Sequence, residues 1–211
     1  MTFDKPYQRV RDTIRFLRKA LTGEKVDEEY ETFRVRGFRL GIPVPEQPPI
    51  LVAALREGML RLAGREGDGA IINWLSADDV KTVAPRVGPL GEKEIVARIF
   101  VFPVDDAGMA RAVGKRAIAS YLTVPVYAAF HEWLGRGDEL KDLWRLWKEG
   151  DRKAAADSIP DHVVDELLVW GSPQACKEHI ARYMENGVTT PAPALFCGPD
   201  QLHTVITALA R

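Results

Sequence analysis

His131 and Glu132 are the residues that come nearest, by type, to a metal motif, because His-Glu opens the zinc-peptidase pattern HExxH. That pattern needs a second histidine one helical turn on, so that two imidazoles face one ion. Gly135 stands there instead, and the zinc reading fails. His162, His179 and His203 lack ligand spacing and read as helix-surface residues. GREGDG, residues 64–69, has glycines in the reverse order to a dinucleotide fingerprint and precedes a strand instead of following one. GPLGEK, residues 88–93, puts Glu92 where a phosphate-binding loop needs lysine. No serine or cysteine sits in a nucleophile context; Cys176 and Cys197, each in an apolar stretch, read as buried free thiols. What remains is Arg56-Glu57-Gly58, where an apolar strand turns into a helix. Unpaired amides at a helix start favour an anion, but the same turn can simply join strand to helix. Residue types alone leave both readings open.

The elements around that turn are legible. After Pro48 and Pro49, Ile50–Leu55 is a continuous apolar run, as in a strand covered on both faces. Leu60, Leu62 and Ala63 then give a short amphipathic helix, predicted to close at Gly64. Asp68-Gly69 reads as a turn into a second apolar strand, Ala70–Ile72. Strand, helix and strand with tight loops is the repeating unit of a parallel α/β fold.

Further elements extend the pattern. Val10, Ile14, Leu17 and Leu21 predict a first helix from about Pro6 to Leu21, stopped by Gly23. Tyr30–Leu40 alternates apolar and charged residues, as a half-exposed hairpin or extended excursion does. Ala77–Val87 is expected as a helix and Glu94–Phe102 as a third buried strand. Asp106 to about Leu167 reads as helical, with apolar stripes Tyr127, Phe130, Trp133, Leu134 and Leu140, Leu143, Trp144, Trp147, punctuated by Gly135, Gly137 and Gly150. The tryptophans in those stripes are assigned to packing. Ser172-Pro173 caps another helix, buried through Cys176, Ile180, Tyr183 and Met184 and ended by Gly187. Ala192–Cys197 is expected as a fourth strand, although Pro193 removes a ladder donor, and a last helix starts at Asp200.

At 211 residues, with 46% hydrophobic and 28% charged residues, the chain can bury a sizeable core. The formal charge of −1 and its interspersed signs leave no basic stripe for nucleic acid. The N-terminal MTFDKPYQRVRD is too polar for a signal peptide and no run reaches membrane-spanning length, so a cytoplasmic location is expected.

The order and spacing of these segments resemble one family. PPILVAALREGMLRLAGREGDGAIIN, residues 48–73, resembles the corresponding segment of the luciferase-like flavin and deazaflavin (F420) oxidoreductases, including its AG…DG signature. FDKPYQRVRDTIRFLRKALTGEKV is similar to the family's helix before its hairpin, FRVRGFRLGIPVPEQPPILVAAL to the hairpin entering strand five, and WGSPQACKEHIARYMENGVTT to the helix before strand eight. The likeness is strongest to the F420-dependent branch of the luciferase-like monooxygenase superfamily.

The resemblance implies an α/β fold of partial TIM (β/α)8 type, with about four parallel strands, their helices and a helical excursion. It implies a single domain over residues 1–211, similar to the family's C-terminal half, with strands one to four expected to lie outside this sequence. The implied function is an oxidoreductase using F420, or alternatively FMN, by hydride transfer or monooxygenation of a small-molecule substrate. The alternative is a non-catalytic flavin-binding or interaction module. Either would form a homo-oligomer or pair with the complementary half. By position, the resemblance puts Ala54, Leu55, Arg56, Glu57 and Gly58 at the cofactor phosphate, with Asn73 and Trp74 on the same rim. Trp74 is left between stacking on the cofactor, lining a substrate pocket and an ordinary rim contact. The resemblance assigns no catalytic residue and no metal.

Overall fold

The computed structural model describes residues 4–210. The first helix, α1 (Pro6–Ala20), is followed by an antiparallel hairpin of β1 (Val26–Glu29) and β2 (Arg34–Phe38), with a bulge between Val26 and Glu28. The remaining strands form one parallel sheet. They are β3 (Leu51–Ala53), β4 (Gly69–Asn73), β5 (Glu94–Phe102), a two-residue β6 (Val169–Trp170) and β7 (Thr190–Leu195). β4 lies between β3 and β5, while β7 pairs with β5. Four parallel strands in the order β3-β4-β5-β7, three of them linked through helices, make the fold α/β and of partial TIM-barrel type. β6 pairs only with Val101 and Phe102 at the end of β5. Its two residues fall below any periodicity signal, and the sequence reading missed it.

The alternation of each strand decides what its two faces meet. Val52, Ala70, Ile72, Ile95, Ala97, Ile99 and Val101 point to one side and join one core with α2 (Glu57–Glu66), α3 (Val80–Val87) and α9 (Pro173–Glu185). Ala53, Ile71, Asn73 and Arg98 point to the other side, which is open: Ile71 is 39% exposed. A second core closes the far end of that face. There α4 (Ala107–Leu122), α5 (Pro125–Trp133), α6 (Gly137–Glu149), α7 (Arg152–Asp157) and α8 (Asp161–Leu167) form the excursion expected from the sequence. Its buried Ile118, Leu122, Leu140, Leu143 and Val164 pack with Trp74 and Phe100 from the sheet. The last helix is α10 (Pro199–Ala210).

Two glycines act by close approach. α2 runs through Gly64 instead of ending there, because a Cβ at Gly64 would lie 1.6 Å from the Val87 carbonyl oxygen; the residue lets α3 press against α2. At Gly69, already in strand β4, a Cβ would lie 2.0 Å from the Glu94 carbonyl oxygen. Asp68 supplies the turn: its carboxylate accepts from the Ile50 N–H at 2.6 Å and from Arg18 at 2.6 Å.

Pro193, and with it Pro191, lies inside β7 after all, for a reason visible in the register. Phe196 N–H donates to the Val101 carbonyl, so alternate residues from Thr190 on face β5 while the nitrogens of Pro191 and Pro193 face the unpaired edge. That is where a sheet tolerates proline, and it removes two donors from an otherwise open edge.

Candidate functional site

A cleft of about 890 Å³ opens on the bare side of the sheet, at the carboxyl ends of β3 and β4 and beside Arg98 in the middle of β5. Its walls are mostly apolar, from Ile71, Met59, Val126 and Trp133, and Pro6 and Tyr7 of α1 reach its rim. The size and the mix of apolar walls with a few polar groups suit a small-molecule site. Six of the seven residues singled out above line it: Ala54, Leu55, Arg56, Glu57, Gly58 and Asn73.

Their roles differ. Ala54 is buried and its N–H donates to the Ile71 carbonyl at 3.0 Å, so its amide belongs to the sheet. The amides of Glu57, Gly58 and Met59 lie in the first turn of α2, where no earlier carbonyl reaches them. No side chain caps that turn. A Cβ at Gly58 would meet nothing within 4 Å, so the approach is open. Arg56 is exposed and has no hydrogen-bond or ion-pair partner among the described residues. Glu57 is the one carboxylate of the lining, and its charge is drawn to Arg61 at 2.5 Å and Arg86 at 3.8 Å. Amides, helix dipole and Arg56 together make the mouth of α2 electropositive.

Trp74 is not part of this lining. It is 1% exposed and stacked on Phe100 at 3.9 Å between centroids, inside the second core. Its backbone has φ 52°, which swings the ring off the strand's alternation. The following loop is clamped by three side-chain hydrogen bonds to its carbonyls. His131 Nε2 donates to the Trp74 carbonyl at 2.9 Å, Tyr183 donates to the Leu75 carbonyl at 2.8 Å, and Asn186 donates to the Ala77 carbonyl at 2.7 Å. Below them Arg136 reaches both Asp79 oxygens at 2.9 and 3.0 Å, and Glu166 at 2.7 Å. Burial opposes the Arg136 charge, but Asp79 and Glu166 more than offset it and raise its pKa. Ser76 and Asp79 exchange side-chain bonds with each other's N–H groups at 2.7 and 3.1 Å, a reciprocal cap before α3. His131 is fully buried; burial, helped by the Arg136 charge, pushes its imidazole down to about 4. It is therefore a neutral, structural donor. No group of three or more histidine, cysteine or acidic residues among the described residues could hold a metal.

Of the lining residues not singled out from the sequence, three bear on the chemistry. Tyr127 was read only as part of an apolar stripe and Trp133 as packing; Trp133 does pack against the core beside Phe130, and both also line the cleft, where Tyr127 accepts from Asn73 Nδ2 at 3.0 Å. Arg98 lies inside the apolar run of β5, beside Asn73 in the register. A lone arginine at an inward position of such a strand was the available signal.

A parallel sheet with helices on one side, and a cleft at its carboxyl edge beside an uncapped helix start, defines a chain of α/β-barrel type. The chain belongs to the luciferase-like monooxygenase family, whose model matches residues 1–190. It is 24% identical over 218 aligned residues to the 5,10-methylenetetrahydromethanopterin reductase of Archaeoglobus fulgidus, covering 97% of this chain and 65% of that protein. It is 39% identical over 191 residues to the F420-dependent glucose-6-phosphate dehydrogenase of Rhodococcus erythropolis, covering 88% of this chain and 54% of that one. Among solved structures, the coenzyme F420-dependent tetrahydromethanopterin reductase of Methanopyrus kandleri matches with a TM-score of 0.76 at 18% identity, over 98% of this chain and 62% of that chain. The EDTA monooxygenase of Chelativorans sp. BNC1 matches with a TM-score of 0.65 at 14% identity, over 99% and 59%. This chain thus spans 54–65% of the length of these relatives.

Proposed function

We propose that this chain provides the cofactor-phosphate side of a luciferase-like oxidoreductase site acting on a small molecule, with F420 as the cofactor and FMN as the alternative. The observation that carries the reading is the uncapped start of α2, whose Glu57, Gly58 and Met59 amides open beside Arg56 into the apolar cleft. The fit is favourable on three counts: open space at Gly58, an unpartnered Arg56, and a Glu57 charge drawn off by two arginines. Leu55, Arg56, Glu57, Gly58 and Met59 would hold the phosphate, while Ala54 positions the strand end through its bond to Ile71. Asn73, one strand across, faces the space beyond the phosphate. Bound there, the cofactor would supply hydride chemistry, or oxygen chemistry in the flavin case. The protein's part is to anchor, orient and keep one side dry. F420 is favoured because two of the proteins named above carry F420 dependence in their names.

The test is a titration of F420 and of FMN followed by backbone amide shifts. Two or three charge-assisted hydrogen bonds at about 1.5 kcal/mol each give roughly 4 kcal/mol, a dissociation constant on the order of 1 mM. Shifts should appear at residues 55–59, and Arg56→Ala should weaken binding about tenfold. Shifts confined to another region, or an unchanged affinity in the variant, would remove the assignment. Tighter binding of FMN than of F420 would reverse the cofactor choice.

A further inference from the structure

We infer that Arg98 is a second anion-binding point of the cleft, taking the carboxylate or phosphate of an acidic small molecule that shares the cleft with the cofactor. The inference rests on the reading that the α2 mouth takes the cofactor phosphate.

Arg98 interrupts β5 between Ala97, fully buried, and Ile99, 2% exposed, both in the core beneath the helices. Its own side chain goes the other way, into the cleft. A cation at such a position usually answers a carboxylate, and across this chain Arg11, Arg15, Arg111 and Arg136 each do. Arg98 has no ion-pair or hydrogen-bond partner among the described residues. Nor does Arg56, the other guanidinium of the lining, while the only lining carboxylate, Glu57, is already paired. The cleft therefore carries two unanswered positive charges, and its complement is an anion at each.

The local geometry fits an oxyanion. The Arg98 guanidinium carbon lies 4.6 Å from the centre of the Phe100 ring. Stacking by its face leaves the edge N–H groups free for the paired bonds that carboxylates and phosphates accept. Beside it in the register stands Asn73, whose Nδ2 donates to Tyr127 while its buried Oδ1 has no partner. The Tyr127 hydroxyl hydrogen has no acceptor among the described residues. One side of the cleft thus offers a guanidinium edge beside a phenol donor, with Asn73 holding the phenol oxygen in place. An oxyanion accepts from both. The two anion points are distinct, because Arg98 and the β3 end are two strand spacings apart, about 10 Å.

The test uses isotope-labelled full chain and inorganic phosphate at constant ionic strength. Phosphate should shift the Arg98 Nε–H signal and the Asn73 side-chain amide. Arg98→Gln should weaken the Asn73 response at least tenfold and leave the Gly58 amide response unchanged. Arg98→Lys should restore part of it. With FMN present at saturation, the phosphate response at Asn73 should persist. Absence of a response at Arg98 overturns the inference, as does an Asn73 response untouched by Arg98→Gln. So does an Arg98 shift produced by FMN but not by riboflavin, since the point would then belong to the cofactor phosphate. If FMN leaves residues 55–59 silent while phosphate still moves Arg98, the cofactor reading fails and the second anion point stands.

Discussion

Replacing Gly64 by alanine should destabilise this protein, although alanine is the better helix former. In an open helix interior the exchange favours folding by about 1 kcal/mol, since glycine gives up more backbone freedom. Here the new Cβ would stand 1.6 Å from the Val87 carbonyl oxygen and 2.7 Å from its carbon, both backbone atoms of α3. Reaching even the 3.0 Å floor of real Cβ contacts requires the helices to part by 3.0 − 1.6 = 1.4 Å. That movement loosens Leu60, Ala63, Val83 and Ala84, which are all fully buried. Overpacking costs about 1–3 kcal/mol, and a clash with backbone belongs at the upper end. The net loss is then about 2 kcal/mol, a fall of roughly 4–8 °C in melting temperature for a chain of this size. Gly58→Ala is the matched control in the same helix, because nothing lies within 4 Å of its Cβ. It should be neutral or stabilising by a few tenths of a kcal/mol, since the first turn benefits least. Urea denaturation of both variants against wild type is the assay. A Gly64→Ala protein as stable as wild type would refute the close helix approach that sets the direction of α2, and with it the placement of the helix start at the cleft.

Other perturbations read other parts of the site. Arg136→Met removes a guanidinium whose side chain is 9% exposed and leaves the Asp79 carboxylate, equally buried, with Ser76 as its remaining partner. The loss should be about 3 kcal/mol, the low end for a broken buried pair because Glu166 is 46% exposed and regains water, and Asp79→Leu in the same protein should recover part of it. His131 gives a pH test: its imidazole, ordinarily near 6.5, is held at about 4, so the unfolded chain takes a proton first. Stability is therefore complete above about pH 6.5 and falls as pH drops toward 4, by about 3 kcal/mol in total; a flat urea-denaturation profile over that range would contradict the buried neutral imidazole. His179 is shifted the same way by burial and adds to the slope. Finally, the bare sheet face and the apolar groove of Leu195, Leu202 and Ile206 should drive self-association at micromolar concentration. Sedimentation should show a dimer that Ile206→Glu dissolves, and a monomer at every concentration would rule this out.

The core strands β3, β4 and β5 were readable as apolar runs, although such a run was taken to mean cover on both faces and the structure covers only one face of β3 and β4. Glu94–Phe102 is strand β5 to the residue. The helices of the excursion were readable from stripes and from Gly135 and Gly150, which take φ of 94° and 93° at helix ends. What failed was anything that depended on a partner distant in sequence. Gly64 looked like a stop because glycine commonly ends helices, and only the position of Val87, far along the chain, reveals it as a contact. β7 looked doubtful because of Pro193, and only the register against β5 shows which edge that proline faces.

The site obeyed the same division. The β3–α2 turn could be found because strand, turn and helix are contiguous, and a helix start advertises its free amides locally. Trp74 could not be assigned, because its direction depends on a single backbone angle and on Phe100, which sits on another strand. Tyr127 and Trp133 share a stripe with Phe130, and spacing alone says they lie on one helix face. It does not say that this face is divided, with Phe130 in the core under the sheet and Tyr127 reaching the cleft. Arg98 is the instructive case. A charge within an apolar strand is expensive to place in a core, so its presence already argued that one face of β5 meets water or a ligand. The sheet shows which: the same face that carries Asn73, one strand away. Polar residues that break an apolar strand at its inward positions are therefore the place to look for a site before any cleft is known.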